Sequence, residues 1–200
     1  MKILAIQSSP NVDGLTSKLA QAVLEGAKSR ESEIELIHLN KLKIESCKAH
    51  NQGWGTCQKE GKCVIEDDFQ NLRQKMEQAD TLVFSTPVYF SDISESAKCF
   101  LDRLRRCLIF NRKDTPLRGK PVIGIASAGG SGGGAVKALG NLETYLRFFG
   151  FVIFDLVPVT RRSKNHKLVM LKSAGARIVT EDFPSSNFNF RRRSPTLQKK

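Results

Sequence analysis

Thr81-Leu82-Val83-Phe84-Ser85-Thr86-Pro87-Val88-Tyr89-Phe90-Ser91-Asp92 is the stretch on which the fold turns. Its first half is a short apolar run without polar alternation, the pattern of a strand buried on both faces. Thr86-Pro87 closes the run, since proline has no amide to extend a ladder. The loop that follows is apolar and aromatic where polar residues are expected. Tyr89 and Phe90 at a strand end are wasteful in water unless something flat packs on them.

Similar signals recur on either side. Lys2–Ile6 is a second buried strand, ended by Ser8-Ser9-Pro10. Leu15, Leu19, Ala22, Val23 and Ala27 then follow a helical period, with Thr16 or Asp13 available as cap. Glu33–His38 alternates charged and apolar residues, which suits a sheet edge. A cysteine-bearing loop runs from about Cys47 to Asp67, and Asp67 or Asp68 opens a helix carrying Phe69, Leu72 and Met76. Downstream, Ile93, Ala97, Phe100, Leu101, Leu104 and Leu108 form an apolar stripe, with Lys98, Asp102, Arg103, Arg105 and Arg106 expected mostly off it. Pro121–Ser127 is a strand and Ala128–Gly134 a glycine-rich loop. A helix from Ala135 to Phe149 ends at Gly150, Phe151–Val157 is the fifth strand, and a last helix spans Asn165 to about Thr180. Five strands alternating with five helices predict an α/β fold with a parallel sheet covered on both faces.

Composition narrows the classes. A chain of 200 residues with 40% hydrophobic content fits a globular domain, and no apolar run approaches a membrane span. The first residues lack the length and cleavage pattern of a signal peptide, so a cytoplasmic location with reduced thiols is expected. The net charge of +12 is unevenly spread. Residues 1–160 hold 21 Lys/Arg and 18 Asp/Glu, whereas residues 161–200 hold 11 Lys/Arg against Glu181 and Asp182. One domain over 1–182 with a basic, mobile tail over 183–200 is expected, and specific nucleic-acid recognition is not. Phe183, Phe188 and Phe190 in that tail can dock on the domain or on a second subunit.

In an open parallel sheet, ligands sit beyond the carboxyl ends of the strands. Ser8 to Ser17 offers hydroxyls and free amides at a helix start, a favourable place for a phosphate. It contains neither Gly-x-x-x-x-Gly-Lys-Ser/Thr nor Gly-x-Gly-x-x-Gly, which argues against P-loop hydrolysis and a dinucleotide-binding turn. With the aromatic loop and the glycine-rich loop, three strand ends suit a phosphate-bearing planar cofactor.

Ser8-Ser9-Pro10 with Gly14 and Thr16, then Ser85-Thr86-Pro87-Val88-Tyr89-Phe90, then Lys98 with Phe100-Leu101-Asp102-Arg103, resemble the flavodoxin-like NAD(P)H-dependent FMN reductases. The segment Cys57-Gln58-Lys59-Glu60-Gly61-Lys62-Cys63-Val64-Ile65-Glu66-Asp67-Asp68 is similar to the iron–sulfur flavoprotein branch. The resemblance covers roughly residues 1–160. It implies a three-layer flavodoxin-like fold with a five-stranded parallel sheet of order 2-1-3-4-5, helices on both faces, and non-covalent FMN. By resemblance the FMN phosphate falls to Ser9, Thr16 and the backbone of Gly14, Leu15 and Ser17. The isoalloxazine falls to Pro87, Val88, Tyr89 and Phe90, with Ser127, Gly129 and Gly130 beside it. Ser8, Asn11 and Leu15 depart from the Gly, Arg and Asn common in this family, while the hydroxyl donors remain.

The resemblance further implies hydride transfer from NADH or NADPH to flavin, then onward to a quinone, flavin or other small acceptor. No side chain need act as acid or base, so no catalytic residue is named. A homodimer or homotetramer is implied as well. An electron carrier without turnover is the alternative, and a scaffold that has lost FMN is a third reading. Relatives of the iron–sulfur branch carry four cysteines in the loop where this chain has Cys47, His50, Cys57 and Cys63. Those four side chains can hold an iron–sulfur cluster, or tetrahedral zinc, or nothing, and the metal-free reading is preferred. Cys107 reads as a small core residue and Cys99 as partly exposed. His38 and His166 read as satisfied or solvent-facing.

Overall fold

The computed structural model describes residues 1–109 and 113–181; the tail over 183–200, with its three phenylalanines, lies outside them. Five strands form one sheet: β1 (Lys2–Gln7), β2 (Glu33–His38), β3 (Thr81–Pro87), β4 (Pro121–Ala128) and β5 (Val152–Thr160). Their order is β2-β1-β3-β4-β5 and every pairing is parallel. The missing polar alternation in β1, β3 and β4 now has its cause. Leu4, Ile6, Leu82, Phe84, Val122 and Ala126 point into one core, while Ile3, Ala5, Val83, Ile123 and Ile125 point into another. Each face carries a helical layer, so neither set meets water.

The first core is covered by α3 (Phe69–Gln78), α4 (Glu95–Leu108) and α5 (Ala135–Phe148), the second by α1 (Leu15–Lys28) and α6 (Lys164–Ile178). The α1–α6 crossing is unusually close because glycine stands on each side of it. A Cβ on Gly26 would lie 1.9 Å from the Lys172 carbonyl oxygen, and one on Gly175 would lie 1.9 Å from that of Val23. The expected helices and strands are all present, with the fifth strand extended to Thr160.

Three local expectations are corrected. Neither Thr16 nor Asp13 caps α1: Gly14 holds the N-cap position without a side-chain bond, and Thr16 lies inside the helix with its hydroxyl 2.7 Å from Ser127 Oγ. The cysteine loop is not wholly irregular, since it contains the one-turn helix α2 (Thr56–Lys59) and a short 3-10 turn at Asn51–Gly53, with a further 3-10 turn at Leu39–Lys41 ahead of it. Arg103 is not off the buried face of α4 but only 1% exposed. Asp67, whose side chain is fully buried, explains this: its carboxylate accepts from Arg103 Nη1 at 2.5 Å and from Nη2 at 3.0 Å. Such a forked pair is a standard way for a buried arginine to be neutralised. The same guanidinium stacks 4.3 Å from the Phe69 ring centroid and donates to the Glu45 carbonyl. It thereby joins α4 to the loop before α3.

Candidate functional site

The carboxyl ends of β1, β3 and β4 lie side by side, and their loops shape one edge of the molecule. After β1 the chain turns sharply, held by the Gln7 side chain, whose Oε1 accepts from Ser9 N at 2.8 Å while Nε2 donates to Ser9 O at 3.1 Å. Gln7 Nε2 also lies 2.6 Å from His38 Nδ1. Burial, with Lys41 nearby, lowers the His38 pKa, which favours the neutral ring that can accept this bond. Asn40, Ser94 and Ser96 all donate to the Ser8 carbonyl, fixing the turn from outside. Nothing in the sequence signalled Asn40, because its partner is 32 residues away.

At the start of α1 the amides of the first turn have no helical partner by construction, and no side chain caps them. Ser9 and Thr16 are buried beside them, Ser9 Oγ accepting from Asn11 N at 3.2 Å. Ser17 is fully buried, and its Oγ has no hydrogen-bond partner among the described residues. An unpaired buried hydroxyl is costly by itself, so its presence beside open amides fits an anionic ligand such as a phosphate ester.

Beyond β3, Val88 N donates to Ser127 O at 2.9 Å, and Tyr89 and Asp92 exchange two backbone bonds of 2.9 and 3.0 Å. The turn tip consists of Phe90 and Ser91 with φ of +49° and +66°. Both lie in the left-handed region that glycine and asparagine usually occupy, and a bulky aromatic there is strained. Phe90 is also 105% exposed, whereas Pro87 is buried and Val88 half-buried. Gly134 allows the turn its place, since a Cβ on it would lie 2.6 Å from Ser91 Cα. Between this turn and the loop Ala128–Gly134 lies an open cleft of about 380 Å³. Gly129 and Gly130 line it, and neither would meet any atom within 4 Å if a Cβ were added. Of the expected residues Val88, Phe90, Gly129 and Gly130 line this cleft, whereas Pro87, Ser127 and Tyr89 do not; Pro87 and Ser127 pair with each other at the strand ends beneath it. Ser9, Gly14, Leu15, Thr16 and Ser17 lie outside the cleft lining, in the turn from β1 into α1, which the Thr16–Ser127 contact joins to the end of β4. The arrangement fits FMN.

The cysteine loop packs on the opposite flank of α4. Cys47, His50, Cys57 and Cys63 line one pocket with Lys48 and Arg106, but it encloses only about 30 Å³, room for about one or two waters. Arg103 Nη2 donates to Cys63 Sγ at 3.3 Å, and Arg106 Nη2 donates to the Gly53 carbonyl. His50 folds against Gly55, so close that a Cβ there would lie 2.6 Å from its Nδ1. Among the described residues no three Cys, His, Asp or Glu side chains converge on a point where they could hold a metal. The set as it stands does not fit a four-cysteine cluster. Cys99 and Cys107 flank Arg103 at a spacing of four along α4, with Cys107 buried and its thiol pushed up to about 12 by that burial.

A parallel α/β sheet of this order, with three loops gathered at the carboxyl ends of β1, β3 and β4, is the flavodoxin-like architecture. The family model described as "NADPH-dependent FMN reductase" matches residues 1–171, and the chain belongs to that family. It is 34% identical over 145 residues to an iron–sulfur flavoprotein of Archaeoglobus fulgidus, covering 72% of this chain and 68% of that one. It is 28% identical over 153 residues to an iron–sulfur flavoprotein of Methanosarcina thermophila, 76% of each chain. Among solved structures it resembles an NAD(P)H:quinone oxidoreductase from Methanothermobacter marburgensis, with a TM-score of 0.69 and 14% identity over 91% of this chain and 98% of that one. This last likeness speaks for the fold alone. Family membership makes the protein an FMN-dependent oxidoreductase that uses NAD(P)H. No helix among the described residues is long and apolar enough to cross a membrane.

Proposed function

We propose that the protein passes reducing equivalents from NAD(P)H through FMN to a small planar acceptor, a quinone or a free flavin, received at the Phe90 side of the cleft. The carrying observation is the strained and fully exposed Phe90 turn standing over open glycines. Backbone strain at an exposed aromatic persists only where the surroundings enforce it, and it collects at ligand-handling sites. FMN, when bound, supplies reversible hydride acceptance and donation. The chain's own residues do the rest. The amides of Leu15, Thr16 and Ser17 with the hydroxyls of Ser9, Thr16 and Ser17 hold the phosphate and fix the depth of the ring. Pro87 and Val88 close one side of the ring's place against water. Tyr89 and Phe90 offer aromatic surface on which a second flat molecule stacks. Gly129 and Gly130 leave backbone groups bare, so that they approach ring heteroatoms without a side chain between.

The test is coenzyme consumption by the FMN-loaded protein with a water-soluble quinone and with free FMN as acceptors. Turnover with either, saturating in acceptor and reduced severalfold in KM-weighted rate by Phe90→Ala, supports the reading. Flavin that is reduced by NAD(P)H but passes nothing to either acceptor would leave an electron carrier instead.

A further inference from the structure

The described part of the chain carries a patch of unpaired cations that the flavin site does not use. Residues 156–180 contain six Lys/Arg and no Asp/Glu. Lys172 pairs with Glu25 and Arg177 with Glu181. The other four, Arg161, Arg162, Lys164 and Lys167, fall within seven residues and make no ion pair or side-chain hydrogen bond among the described residues. Elsewhere Arg73, Arg103 and Arg147 each face a carboxylate. Arg161, Arg162 and Lys164 are exposed, with Lys167 half-buried.

Their place in the fold gives this patch its meaning. Thr160 is the last residue of β5 and pairs with Ala128, the residue that opens the glycine-rich loop. Gly132 of that loop rests on Thr160, where an added Cβ would lie 3.0 Å from Thr160 Cγ2. Arg161 and Arg162 therefore begin one strand spacing, about 4.8 Å, from the cleft wall. They are held on a firm mount: Ser163 N donates to Thr160 O at 3.1 Å, and Thr160 N donates to Ser163 Oγ at 2.9 Å. The two arginines are the middle residues of this turn, and no carboxylate from Leu156 to Thr180 opposes an approaching anion.

We propose that Arg161 and Arg162, supported by Lys164 and Lys167, bind the 2′-phosphate of NADPH and so set preference for NADPH over NADH. This rests on the reading of the adjoining cleft as the flavin's place. On this proposal the adenosine end of the coenzyme would run over the glycine-rich loop, which rests on Thr160 at the end of β5. The two coenzymes differ by one phosphate ester, close to a dianion at neutral pH. Paired guanidinium groups match its oxygens in charge and in planar geometry. Arg161, Arg162 and Lys164, exposed and without a partner among the described residues, cost little in the absence of that ligand, because they are solvated.

The experiment has two readouts on the FMN-loaded protein. The first is calorimetric binding of 2′,5′-ADP against 5′-AMP, which needs no turnover. The second is the ratio of kcat/KM for NADPH to that for NADH. With the parent protein 2′,5′-ADP binds at least tenfold tighter than 5′-AMP, and added salt narrows the gap. In Arg161→Ala/Arg162→Ala the gap closes and the coenzyme ratio falls roughly 10- to 100-fold, the change residing in KM for NADPH. Lys172→Ala, on the helix that follows the two arginines but engaged with Glu25, leaves the ratio unaltered. Equal binding of the two fragments, or a ratio untouched by the double substitution, overturns the proposal. So does a double variant whose loss is in FMN affinity alone, which would give the cations to the flavin phosphate. Selective fragment binding without reduction of flavin by either coenzyme would instead strike the proposed function and leave the phosphate site standing.

Discussion

Ser17 and Phe90 carry opposite kinds of cost. Ser17 buries a hydroxyl with nothing to bond, and Phe90 exposes an aromatic ring on a left-handed backbone. Both costs vanish if the missing partner is the flavin and its stacked acceptor. For Ser17→Ala, the thermal stability of the flavin-free protein should hold or rise slightly, while FMN affinity measured by fluorescence quenching falls about tenfold or more. Unchanged affinity would detach Ser17 from the phosphate. For Phe90→Gly, urea unfolding of the flavin-free protein should show a gain of up to about 1 kcal/mol, since glycine accepts positive φ. Acceptor turnover should fall in the same variant. A loss of stability would mean that the ring packs on something that its exposure does not reveal. Neither feature is readable in sequence: a serine one turn into a helix and a phenylalanine after proline are ordinary until the partners and dihedrals are known.

At the scale of elements, what was legible followed from periodicity. β1, β3 and β4 announced themselves because two helical layers demand apolar residues on both sides, and β2 because an edge strand does not. The turn over 8–17, the loop over 87–90 and the glycine-rich loop were singled out in sequence because strand ends are where such a sheet binds. Arg103 was misplaced because a helical wheel marks arginine as a surface residue, and only the distant Asp67 reverses that. The helix pair α1 and α6 hid its closest contact too, since Gly26 and Gly175 look like weak points in helices. They are instead the condition for the crossing. Gly175→Ala should destabilise the protein by about 1–3 kcal/mol through overpacking, read as a lowered urea midpoint. An unchanged midpoint would mean that the two helices part at little cost.

Across the whole molecule, the Arg103–Asp67 pair binds the cysteine loop to the first core and makes its attachment dependent on pH. Burial raises the Asp67 carboxyl, but the Arg103 guanidinium and the amides of Glu45 and Phe69 together outweigh it and hold the pKa below the ordinary 3.8. Ionised Asp67 therefore stabilises the fold fully above that value, and its contribution fades as pH falls below it. Arg103→Ala, which strands the carboxylate, should cost about 3–5 kcal/mol at neutral pH. In Asp67→Asn the drop in urea midpoint between about pH 5 and pH 3 should be shallower than in the parent. Equal slopes would assign acid sensitivity to other carboxylates.

The loop's attachment also fixes what each thiol can report. All five cysteines are free and sit on or beneath this loop, graded from Cys47 at the surface through Cys57, Cys63 and Cys99 to Cys107 in the interior. Timed alkylation with mass mapping should label Cys47 within the first exposure, the half-buried Cys57, Cys63 and Cys99 later, and Cys107 only on wider opening. The chain thus contains its own depth gauge, by which the lifting of one flank could be followed without a probe attached to it.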